Sequence, residues 1–394
     1  MNAVSLKGAE KIVASSLVGM GDLAEMAVRG RNLQGLARLR SLAPDNIKHQ
    51  PFFTQQELCD ILGKDFNWMS YRLRAGDEPV PEMHERKVRF SLKSARVWTR
   101  RNRPDFMKPA NQDAITLAVG NFKGGSTKTT TAVTMAQGLS IRGHRVLLVD
   151  LDPQASASFL MGVIPELDNV LTLLPVFQGT EDSVAPMIRK TYWDGIDLIA
   201  AAPAMAQADS DVVNHPSGRW WEVLRNALKP VMQDYDVVVF DTGPTLSPLT
   251  VTAFMAADAL LVPITPNALD CASSAQFWTL FADMHATFES AGLAPKNYEF
   301  VKVMLSRVDA NDTATETIRE YLHAAYGQQV MQVEIPKSNV VTNSSVAFGT
   351  AFDSQVNRSS RQAFARYKER CEAAVDEIEK AVCAAWARRV KEGA

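Results

Sequence analysis

The stretch "GNFKGGSTKTTTA" at residues 120–132 decides the fold, because it holds the residues of a phosphate-binding loop in an altered order. The ordinary loop follows the pattern G-x-x-x-x-G-K-[ST], with a glycine directly before the lysine. Here the lysine and the hydroxyl are Lys128 and Thr129, but Thr127 stands where that glycine is expected. A second lysine, Lys123, lies at a position where the ordinary pattern allows any residue.

The loop lies in the sequence context that phosphate binding requires. The apolar stretch "AITLAVGNF" (114–122) precedes it and is predicted to be a buried strand, and "TTTA" begins a helix with hydroxyl residues. Gly124 and Gly125 allow backbone N–H groups to approach phosphate oxygens closely. Lys128 is long enough to reach the β- and γ-phosphates, and the Thr129 hydroxyl is a suitable ligand for Mg²⁺.

Carboxylates follow two further apolar stretches. "VVVFD" ends at Asp241, which is the arrangement that holds a metal ion directly or through water in nucleotide-hydrolysing enzymes. "LLVDLDPQ" places Asp150 and Asp152 at the end of another strand. Because parallel sheets bind ligands at the carboxyl ends of their strands, we expect the lysine, the hydroxyl and these carboxylates to meet at one edge.

The body of the chain alternates apolar strands with helices, which predicts an α/β fold with a parallel sheet covered by helices on both faces. A long closing helix is predicted at 354–391, where apolar residues recur every three or four positions. The predicted strands are 114–122, 145–152, 196–203, 236–243, 259–266, 300–308 and 329–336.

Charge is distributed unevenly along the chain. The net charge is −2, yet residues 1–110 carry 19 Lys and Arg against 12 Asp and Glu, while the remainder carries 23 against 32. A basic front third on an acidic body indicates contact with a polyanion, and a solvated basic face is the competing interpretation. We expect neither a signal peptide nor a membrane span, because no apolar run is long enough.

The front third is predicted to contain a winged helix-turn-helix domain over residues 51–110, after an N-terminal helical arm over 1–50 that serves in dimerisation. Thr54 and Glu57 form a capping-box pattern, Gly63 ends the first helix, and a strand at 84–92 would be the wing. A small helical domain that docks on the body is the alternative. The candidate DNA contacts are Asn67, Ser70, Tyr71, Arg72, Arg74, Arg86, Lys87 and Arg89.

Three motifs, "KGGSTKTTTA", "VLLVDLDPQASAS" and "VVVFDTGP", closely resemble those of the ParA family, whose members are P-loop NTPases with a deviant Walker A loop. The resemblance covers about residues 114–350. It implies slow hydrolysis of ATP to ADP with Mg²⁺ held by Thr129 and Asp241. It also implies that Lys123 reaches the nucleotide of a partner in a dimer, that Lys128 binds phosphate, and that Asp152 positions the attacking water.

The same resemblance implies the remaining nucleotide contacts. "IPKSN" (335–339) looks like the segment of the family that lies beside the adenine, so Pro336 and Ser338 are base contacts by this resemblance. The implied loop contacts are Lys123, Gly124, Gly125, Ser126, Thr127, Lys128, Thr129 and Thr130. Because Thr127 adds a side chain beside the phosphates, we expect binding to persist and hydrolysis to be slow.

The resemblance further implies a homodimer that partitions DNA in the cytoplasm, associates with the nucleoid and is stimulated by a ParB-type protein. The front segment resembles that of the larger family members, which repress their own operon. "IRKTYWDGIDLI" also resembles RepA of repABC plasmids, a sister group. Family members bind DNA nonspecifically through a basic surface, for which the candidates are Lys337, Arg358 and Arg361, with Arg366 and Lys368 beside them. A solvated helix face is the alternative for the last four.

Three other classes compete. A MinD-like membrane ATPase needs a closing amphipathic helix with bulky apolar residues, whereas the sequence given ends in "WARRVKEGA". An iron–sulfur carrier needs paired cysteines, and Cys59, Cys271, Cys371 and Cys383 have no such spacing, which favours free thiols over a metal site. A repressor that only senses nucleotide remains open, although Lys123, Asp152 and Asp241 are those of an active enzyme.

Overall fold

The computed structural model describes residues 19–26, 28–30, 48–77, 79–84, 87–293, 296–309, 312–338, 350–353 and 361–392. Contacts divide the chain into a unit at 1–48 and a unit at 49–394. In the first unit residues 20–26 and 28–30 are helical, and the rest of the predicted arm lies outside the described residues.

The second unit begins with a small segment of helices and strands built around Leu58, Met69 and Trp98, which are buried. Thr54 caps the first helix, and Gly63, with φ 63°, ends it in the left-handed region that a glycine adopts without strain. The strands pair antiparallel in the order β1-β3-β2. The elements are β1 Phe52–Phe53, α1 Gln55–Leu62, α2 Phe66–Arg74, β2 Glu82–His84, β3 Lys87–Ser91 and α3 Leu92–Asn102.

The rest of the second unit is a seven-stranded sheet in the order β10-β9-β4-β8-β5-β7-β6. Its strands are β4 Ile115–Val119, β5 Val146–Asp150, β6 Ile188–Lys190, β7 Ile196–Ile199, β8 Val237–Asp241, β9 Ala259–Ile264 and β10 Phe300–Leu305. The six predicted strands from 114–122 to 300–308 are therefore confirmed, each with shorter bounds.

The apolar strands are buried on both faces because their side chains alternate between two cores. On β8, Val237 and Val239 belong to one core, while Val238 and Phe240 belong to the other. This alternation follows from the two-residue period of a strand. Helices must therefore cover both sides of the sheet, as the continuous apolar runs predicted.

The main helices are α4 Lys128–Ile141, α10 Pro248–Ala256, α11 Ala268–Ser290, α12 Thr313–Tyr326 and α13 Arg361–Glu392. Shorter helices are α5 Ser156–Leu160, α6 Pro165–Asp168, α7 Leu174–Phe177, α8 Ala208–Val213 and α9 Val223–Leu228. Helix α4 is buried almost all round, since it packs against the sheet, α3 and α13. A side-chain β-carbon at Gly138 would lie 2.5 Å from Val375, so α13 packs closely on α4.

Two sequence expectations are wrong at the edges of the sheet. The sheet is not wholly parallel, because β6 pairs antiparallel with β7. The segment 329–336 is not a strand: it meets the β10 segment only in isolated bridges at Val330 and Pro336. The N–H of Gln332 donates to the Glu377 carboxylate at 2.9 Å, which takes that residue out of a continuous ladder.

Candidate nucleotide site and nucleic-acid surfaces

The phosphate loop connects the end of β4 to the start of α4, as the sequence predicted. A β-carbon at Gly120 would lie 2.5 Å from the ring of Phe254, so only glycine fits where the loop leaves the strand. Thr127 has φ 64°, a left-handed conformation that costs a non-glycine residue about 1–2 kcal/mol. Its hydroxyl oxygen is buried without a hydrogen-bond partner in the described structure. The altered loop thus keeps the glycine-type backbone and adds a buried hydroxyl that a ligand can satisfy.

Lys128 lies against its own loop. Its ammonium donates to the carbonyl oxygen of Lys123 at 2.9 Å, and the hydroxyl of Ser126 donates to the same oxygen at 2.9 Å. Burial lowers the pKa of Lys128, and the carboxylates of Asp241 and Asp152 oppose that shift. The ammonium is therefore held near acidic groups by a neutral carbonyl, a contact that a phosphate would replace with a stronger one.

Two carboxylates end neighbouring strands at the same register, Asp150 on β5 and Asp241 on β8. Asp150 accepts hydrogen bonds from the N–H and hydroxyl of Ser158, at 2.8 and 2.7 Å, so it fixes the start of α5. Both oxygens of Asp241 are buried and accept no hydrogen bond of ordinary geometry in the described residues, and the Thr129 hydroxyl lies close enough to interact with them. The sheet therefore provides one carboxylate that supports structure and one that is available to a ligand.

Burial is the first cause that raises the pKa of Asp241 well above its ordinary value, and the neighbouring Asp150 carboxylate raises it further. The Thr129 side chain and the Lys128 ammonium act in the opposite direction. Burial likewise raises the pKa of Asp150 to about 7. A divalent cation would relieve this crowding of acids, and the unpartnered oxygens of Asp241 with the Thr129 hydroxyl are ligands that suit Mg²⁺.

No cluster of three or more His, Cys, Asp or Glu side chains able to hold a metal occurs in the part of the chain that the structure describes.

Asp152 lies beyond the end of β5, at the mouth of this edge. Its carboxylate accepts from the N–H of Gln154 at 2.9 Å, and a β-carbon at Gly243 would lie 3.9 Å from its carboxyl carbon. Gly243 follows Asp241 by two residues, so the predicted water-handling carboxylate and the predicted metal carboxylate belong to one cleft.

Lys123 is directed at its own chain. Its ammonium is 3.8 Å from a carboxylate oxygen of Asp270, in the first turn of α11. Asn267 caps that helix by accepting the N–H of Asp270 at 2.9 Å. Sequence reasoning missed Asp270, because a single acid in the first turn of a helix is ordinary and gives no functional signal.

Pro336 and Ser338 lie beside the end of β10. Val308 pairs with Pro336, and the N–H of Lys337 donates to the carbonyl of Val308 at 3.0 Å. The Lys337 ammonium, a candidate DNA contact, is 3.4 Å from Asp309. Strand β10 is two strands away from β4, a separation of roughly 10 Å, which suits a base whose phosphates lie on the loop.

The end of β10 also holds two residues that the sequence analysis did not single out. Arg307 has φ 56°, and the Ser306 hydroxyl is buried without a partner in the described structure. Backbone strain at a non-glycine residue is typical of ligand sites, and a buried hydroxyl without a protein partner is available to a ligand. No motif in the sequence distinguishes them from an ordinary strand end.

The two predicted helices of the front segment are present, and their candidate DNA contacts fall into two groups. Asn67, Tyr71 and Arg74 are exposed on α2. Ser70 accepts from the Gln55 amide at 2.8 Å, while Arg72 pairs with Asp77 and lies over the Trp68 ring.

The other candidate DNA contacts lie on different elements. Lys87 and Arg89 lie on β3, and Arg361 is exposed at the start of α13. Arg86 and Arg358 lie outside the described residues.

Much of the basic charge of the front segment contacts the body rather than solvent. Arg96 of α3 pairs with Asp194, Arg100 with Asp236 at 2.7 Å, and Arg103 with Glu379 at 2.7 Å. No motif marks helix α3 in the sequence, so these arginines were predicted to be part of a surface for a polyanion. The ion pairs of Arg96 and Arg100 on this helix, and of Arg103 directly after it, favour the docking alternative, because these three guanidiniums already have carboxylate partners.

None of the helices that the structure describes is long and apolar enough to cross a bilayer.

This chain is similar in sequence to a family model and to several known proteins. A family model described as an AAA domain matches residues 114–291. A protein assigned as replication protein A in Sinorhizobium fredii is 32% identical over 283 residues, which cover 70% of this chain and 69% of the relative. The chromosome-partitioning ATPase Soj of Thermus thermophilus is 34% identical over 239 residues, which cover 59% of this chain and 85% of Soj.

Solved structures agree on the fold. A structure titled "Partition Protein" aligns with a TM-score of 0.59 at 19% identity and covers 89% of this chain and 98% of its own. Cobyrinic acid a,c-diamide synthase from Mycobacterium smegmatis, with bound ATP analog and magnesium, aligns with a TM-score of 0.50 at 27% identity. That alignment covers 60% of this chain and 91% of the synthase.

Proposed function

We propose, from the premise that this chain belongs to the ParA family of partition ATPases, that it hydrolyses ATP slowly, forms a dimer when ATP is bound, and moves DNA together with a ParB-type partner. The observation that carries the proposal is the unpartnered Asp241 carboxylate beside Lys128 and Thr129 at one edge of the sheet. A structural ion pair would satisfy such a carboxylate, whereas a site for nucleotide and metal leaves it available.

Nucleotide binding in this proposal uses groups that are already in place. Lys128 exchanges the Lys123 carbonyl for the β- and γ-phosphates, and the Thr127 hydroxyl gains an acceptor. The backbone of Gly124, Gly125, Ser126, Thr127, Lys128, Thr129 and Thr130 surrounds the phosphates. Thr129 and Asp241 would hold Mg²⁺, which neutralises charge on the phosphates when it is bound.

Hydrolysis depends on Asp152 in this proposal. A carboxylate at the mouth of the cleft orients the attacking water and accepts its proton. Among the described residues the Asp152 carboxylate accepts a hydrogen bond only from the N–H of Gln154, so the orientation of this carboxylate can adjust when a partner binds. A ParB-type partner that fixes this carboxylate would raise turnover, since the reaction needs the water in line with the phosphate.

Lys123 acts in trans in this proposal. At 3.8 Å its contact with Asp270 is a loose ion pair, and the Lys123 side chain is 38% exposed. This distance is longer than a hydrogen bond, so a partner's phosphates, which accept charge-assisted hydrogen bonds, can compete for the lysine. Pro336 and Ser338 then contact the base, with Ser306 and Arg307 beside them.

Two DNA-binding modes complete the proposal. The segment 51–110, a winged helix-turn-helix domain in this interpretation, reads a specific operator through Asn67, Tyr71 and Arg74, and so represses the operon of the protein. Lys337 and Arg361, with Arg358, bind any duplex once the dimer forms, which places the ATP form on the nucleoid in the cytoplasm. Arg72, Lys87, Arg89 and Arg86 serve as phosphate contacts near the operator.

The experiment that tests this function compares Asp152→Ala with Asp182→Ala, an exposed control carboxylate. Asp152→Ala should bind a fluorescent ATP analogue normally and lose turnover by about 100-fold or more, the usual contribution of a general base. The control should keep its turnover, and basal turnover should lie well below roughly 1–100 per second. Full hydrolysis by the Asp152 variant would refute the assignment.

One observation favours a second candidate, a repressor that senses nucleotide. Helix α4 begins at Lys128, and α3 binds the residues just after α4 ends: Arg96 donates to the carbonyl of His144 and Arg100 to that of Gly143. A shift of α4 on nucleotide binding can therefore be transmitted to α3 of the front segment. Operator binding that responds to nucleotide, in a protein whose turnover a ParB-type partner and DNA leave unchanged, would favour this second function.

A further inference from the structure

A second group of charges lies at the opposite end of the sheet from the nucleotide site. It gathers around Asp258, which directly precedes β9, and Glu299, which directly precedes β10. The N–H of Glu299 donates to the carbonyl of Asp258 at 2.7 Å, so the two carboxylates belong to adjacent strand starts. Because β9 has six residues, this group lies roughly 20 Å from the carboxyl edge of the sheet.

Both carboxylates are already shared between guanidiniums. One oxygen of Asp258 is 3.0 Å from Arg225 of α9 and 3.0 Å from Arg389 of α13. Glu299 is 2.8 Å from Arg389 and 3.0 Å from Arg388. These two carboxylates thus already have three arginine partners.

The remaining oxygen of Asp258 is also occupied. It accepts from the N–H and the hydroxyl of Thr116, at 3.0 and 2.9 Å. Neither carboxylate oxygen of Asp258 is thus available to another cation.

Lys296 is the additional cation. Its ammonium lies over the ring of Tyr298 at 5.2 Å, and it forms no ion pair or hydrogen bond within the described part of the chain. Burial lowers the pKa of Lys296 to about 8, and Arg225 is the next cause, which Asp258 only partly opposes. Four basic side chains thus face two carboxylates, and this cluster holds a positive charge that its own acids do not balance.

Attachment of the closing helix explains only part of this cluster. Arg389 is mostly buried and ties the end of α13 to the sheet, which is a structural role. Arg225 and Arg388 instead keep 45% and 46% of their side chains exposed. Arg225 is close enough to Lys296 to lower its pKa, and Arg388 reaches the cluster through Glu299. Guanidiniums with free N–H groups next to an unpaired ammonium are the donors that bind phosphate oxygens.

We propose that Arg225, Lys296 and Arg388 form a binding site for a phosphate group, separate from the nucleotide site. The phosphate would balance the excess charge and give Lys296 the partner that the carboxylates do not provide. Its source is either free phosphate or the backbone of duplex DNA, since both present the same oxygens. The inference does not depend on the partition function, because the cluster shares no residue with the nucleotide site.

The first arm of the test uses inorganic phosphate and the full-length protein. Phosphate is titrated against chloride at constant ionic strength, with Mg·ADP in every sample so that the nucleotide site contributes equally, and thermal unfolding gives the apparent affinity. Lys296→Gln should weaken phosphate binding by about tenfold or more, because it removes one charge-assisted hydrogen bond. Arg388→Gln, at an exposed position that leaves the fold intact, should weaken it similarly.

The matched control is Lys190→Gln, which removes the same charge from β6 at the edge of the sheet, where the Lys190 side chain is 88% exposed. It should leave phosphate binding unchanged. Basal ATP turnover should be unaffected in all three variants. Equal phosphate affinity in the wild type, Lys296→Gln and Arg388→Gln would overturn the proposal.

The second arm identifies the source of the phosphate. Binding of a short duplex of arbitrary sequence is measured against salt concentration, and removal of one phosphate-binding cation should lower the slope of log K against log[salt] by about 0.9. A lower slope for Lys296→Gln and Arg388→Gln, but not for Lys190→Gln, would assign the site to DNA backbone. An unchanged slope with weaker binding in the first arm would assign it to free phosphate.

Discussion

The two ends of helix α4 hold charge in opposite ways. At its start, Lys128 is held by a loop carbonyl, and the nearby Asp241 carboxylate has no hydrogen-bond partner in the described structure. Just beyond its end, Arg142 pairs with Asp376, and the imidazole of His144 is 2.8 Å from Glu379. One helix thus joins a region of unmatched charge to a region where nearly every charge is paired.

The pairing at the far end is dense. Glu379 is 1% exposed and accepts two hydrogen bonds from Arg103, at 3.0 and 2.7 Å, besides its contact with His144. Burial alone would raise the pKa of Glu379, but the hydrogen bonds from His144 and Arg103 outweigh it and hold the pKa below its ordinary value. The carboxylate is therefore ionised and joins α3, α4 and α13.

This contrast puts the charges that serve ligand binding at the start of α4 and the charges that serve stability just beyond its end. Charges that must bind a ligand are left without protein partners, at a cost to the unliganded fold. Charges that must fix one segment on another are fully paired, because a buried unpaired charge there would only destabilise the fold. Four predictions test this distinction, from the largest expected effect to the smallest.

Lys128→Ala should abolish nucleotide binding while the protein stays folded. It removes the ammonium that pairs with the phosphates, an effect at the upper end of the roughly 2–5 kcal/mol that removal of one partner of a buried charge pair costs. Titration with a fluorescent ATP analogue measures the loss, and circular dichroism confirms the fold. Tight binding by this variant would show that the start of α4 is not the phosphate site.

Glu379→Gln should destabilise the protein by about 3–5 kcal/mol, because Arg103 and Arg142, whose guanidiniums are 2.7 and 3.6 Å from Glu379, lose a charge that compensates their burial. Denaturant unfolding of the variant and the wild type gives the difference in the free energy of unfolding. Glu377→Gln is a control on the same helix, since its carboxylate contacts one partly exposed lysine, Lys302, and the N–H of Gln332, and compensates no buried arginine. If Glu379→Gln and Glu377→Gln lowered the free energy of unfolding by the same small amount, the ion pairs beyond the end of α4 would have no special role in stability.

Asp241→Asn should stabilise the nucleotide-free protein, whereas Glu379→Gln destabilises it. The Asp241 variant should still lose Mg²⁺-dependent ATP turnover. The folded-state pKa of Asp241 is raised, so this group favours folding less as pH rises from about 4, the ordinary Asp value, toward its folded pKa. The advantage of the neutral variant should therefore grow across that window by up to about 1.4 kcal/mol per pH unit.

The measurement is thermal unfolding of the nucleotide-free Asp241→Asn variant against the wild type at several pH values, with Mg²⁺-dependent ATP turnover assayed in parallel. A variant that is less stable than the wild type at pH 7 to 8 would mean that Asp241 has a structural partner after all.

Arg74→Ala and Arg72→Ala extend the comparison to the front segment. Arg74 is exposed, whereas Arg72 pairs with Asp77, so loss of Arg74 should weaken operator binding more, by about 1–3 kcal/mol if it contacts a base. Electrophoretic mobility shift on operator and random duplexes separates the two. An equal loss on random DNA would assign Arg74 to a phosphate contact.

The sequence by itself determined the elements whose signals are local. The phosphate loop was predicted because its lysines, glycines and hydroxyls lie within a few consecutive residues, and the capping box at Thr54 because its partners are three residues apart. The apolar strands and the carboxylates at their ends followed from periodicity. These patterns fix backbone geometry directly, so no distant residue had to be known.

Only the tertiary structure decided which charges meet. Arg103 and Glu379 are 276 residues apart, and Arg100 and Asp236 are 136 apart, so no spacing rule connects them. From composition alone, the arginines of α3 therefore counted toward a surface for polyanions. The ion pair of Lys123 with Asp270, the unpartnered oxygens of Asp241 and the unpaired Lys296 were equally hidden, because a side chain is free or satisfied only in relation to neighbours that folding brings together.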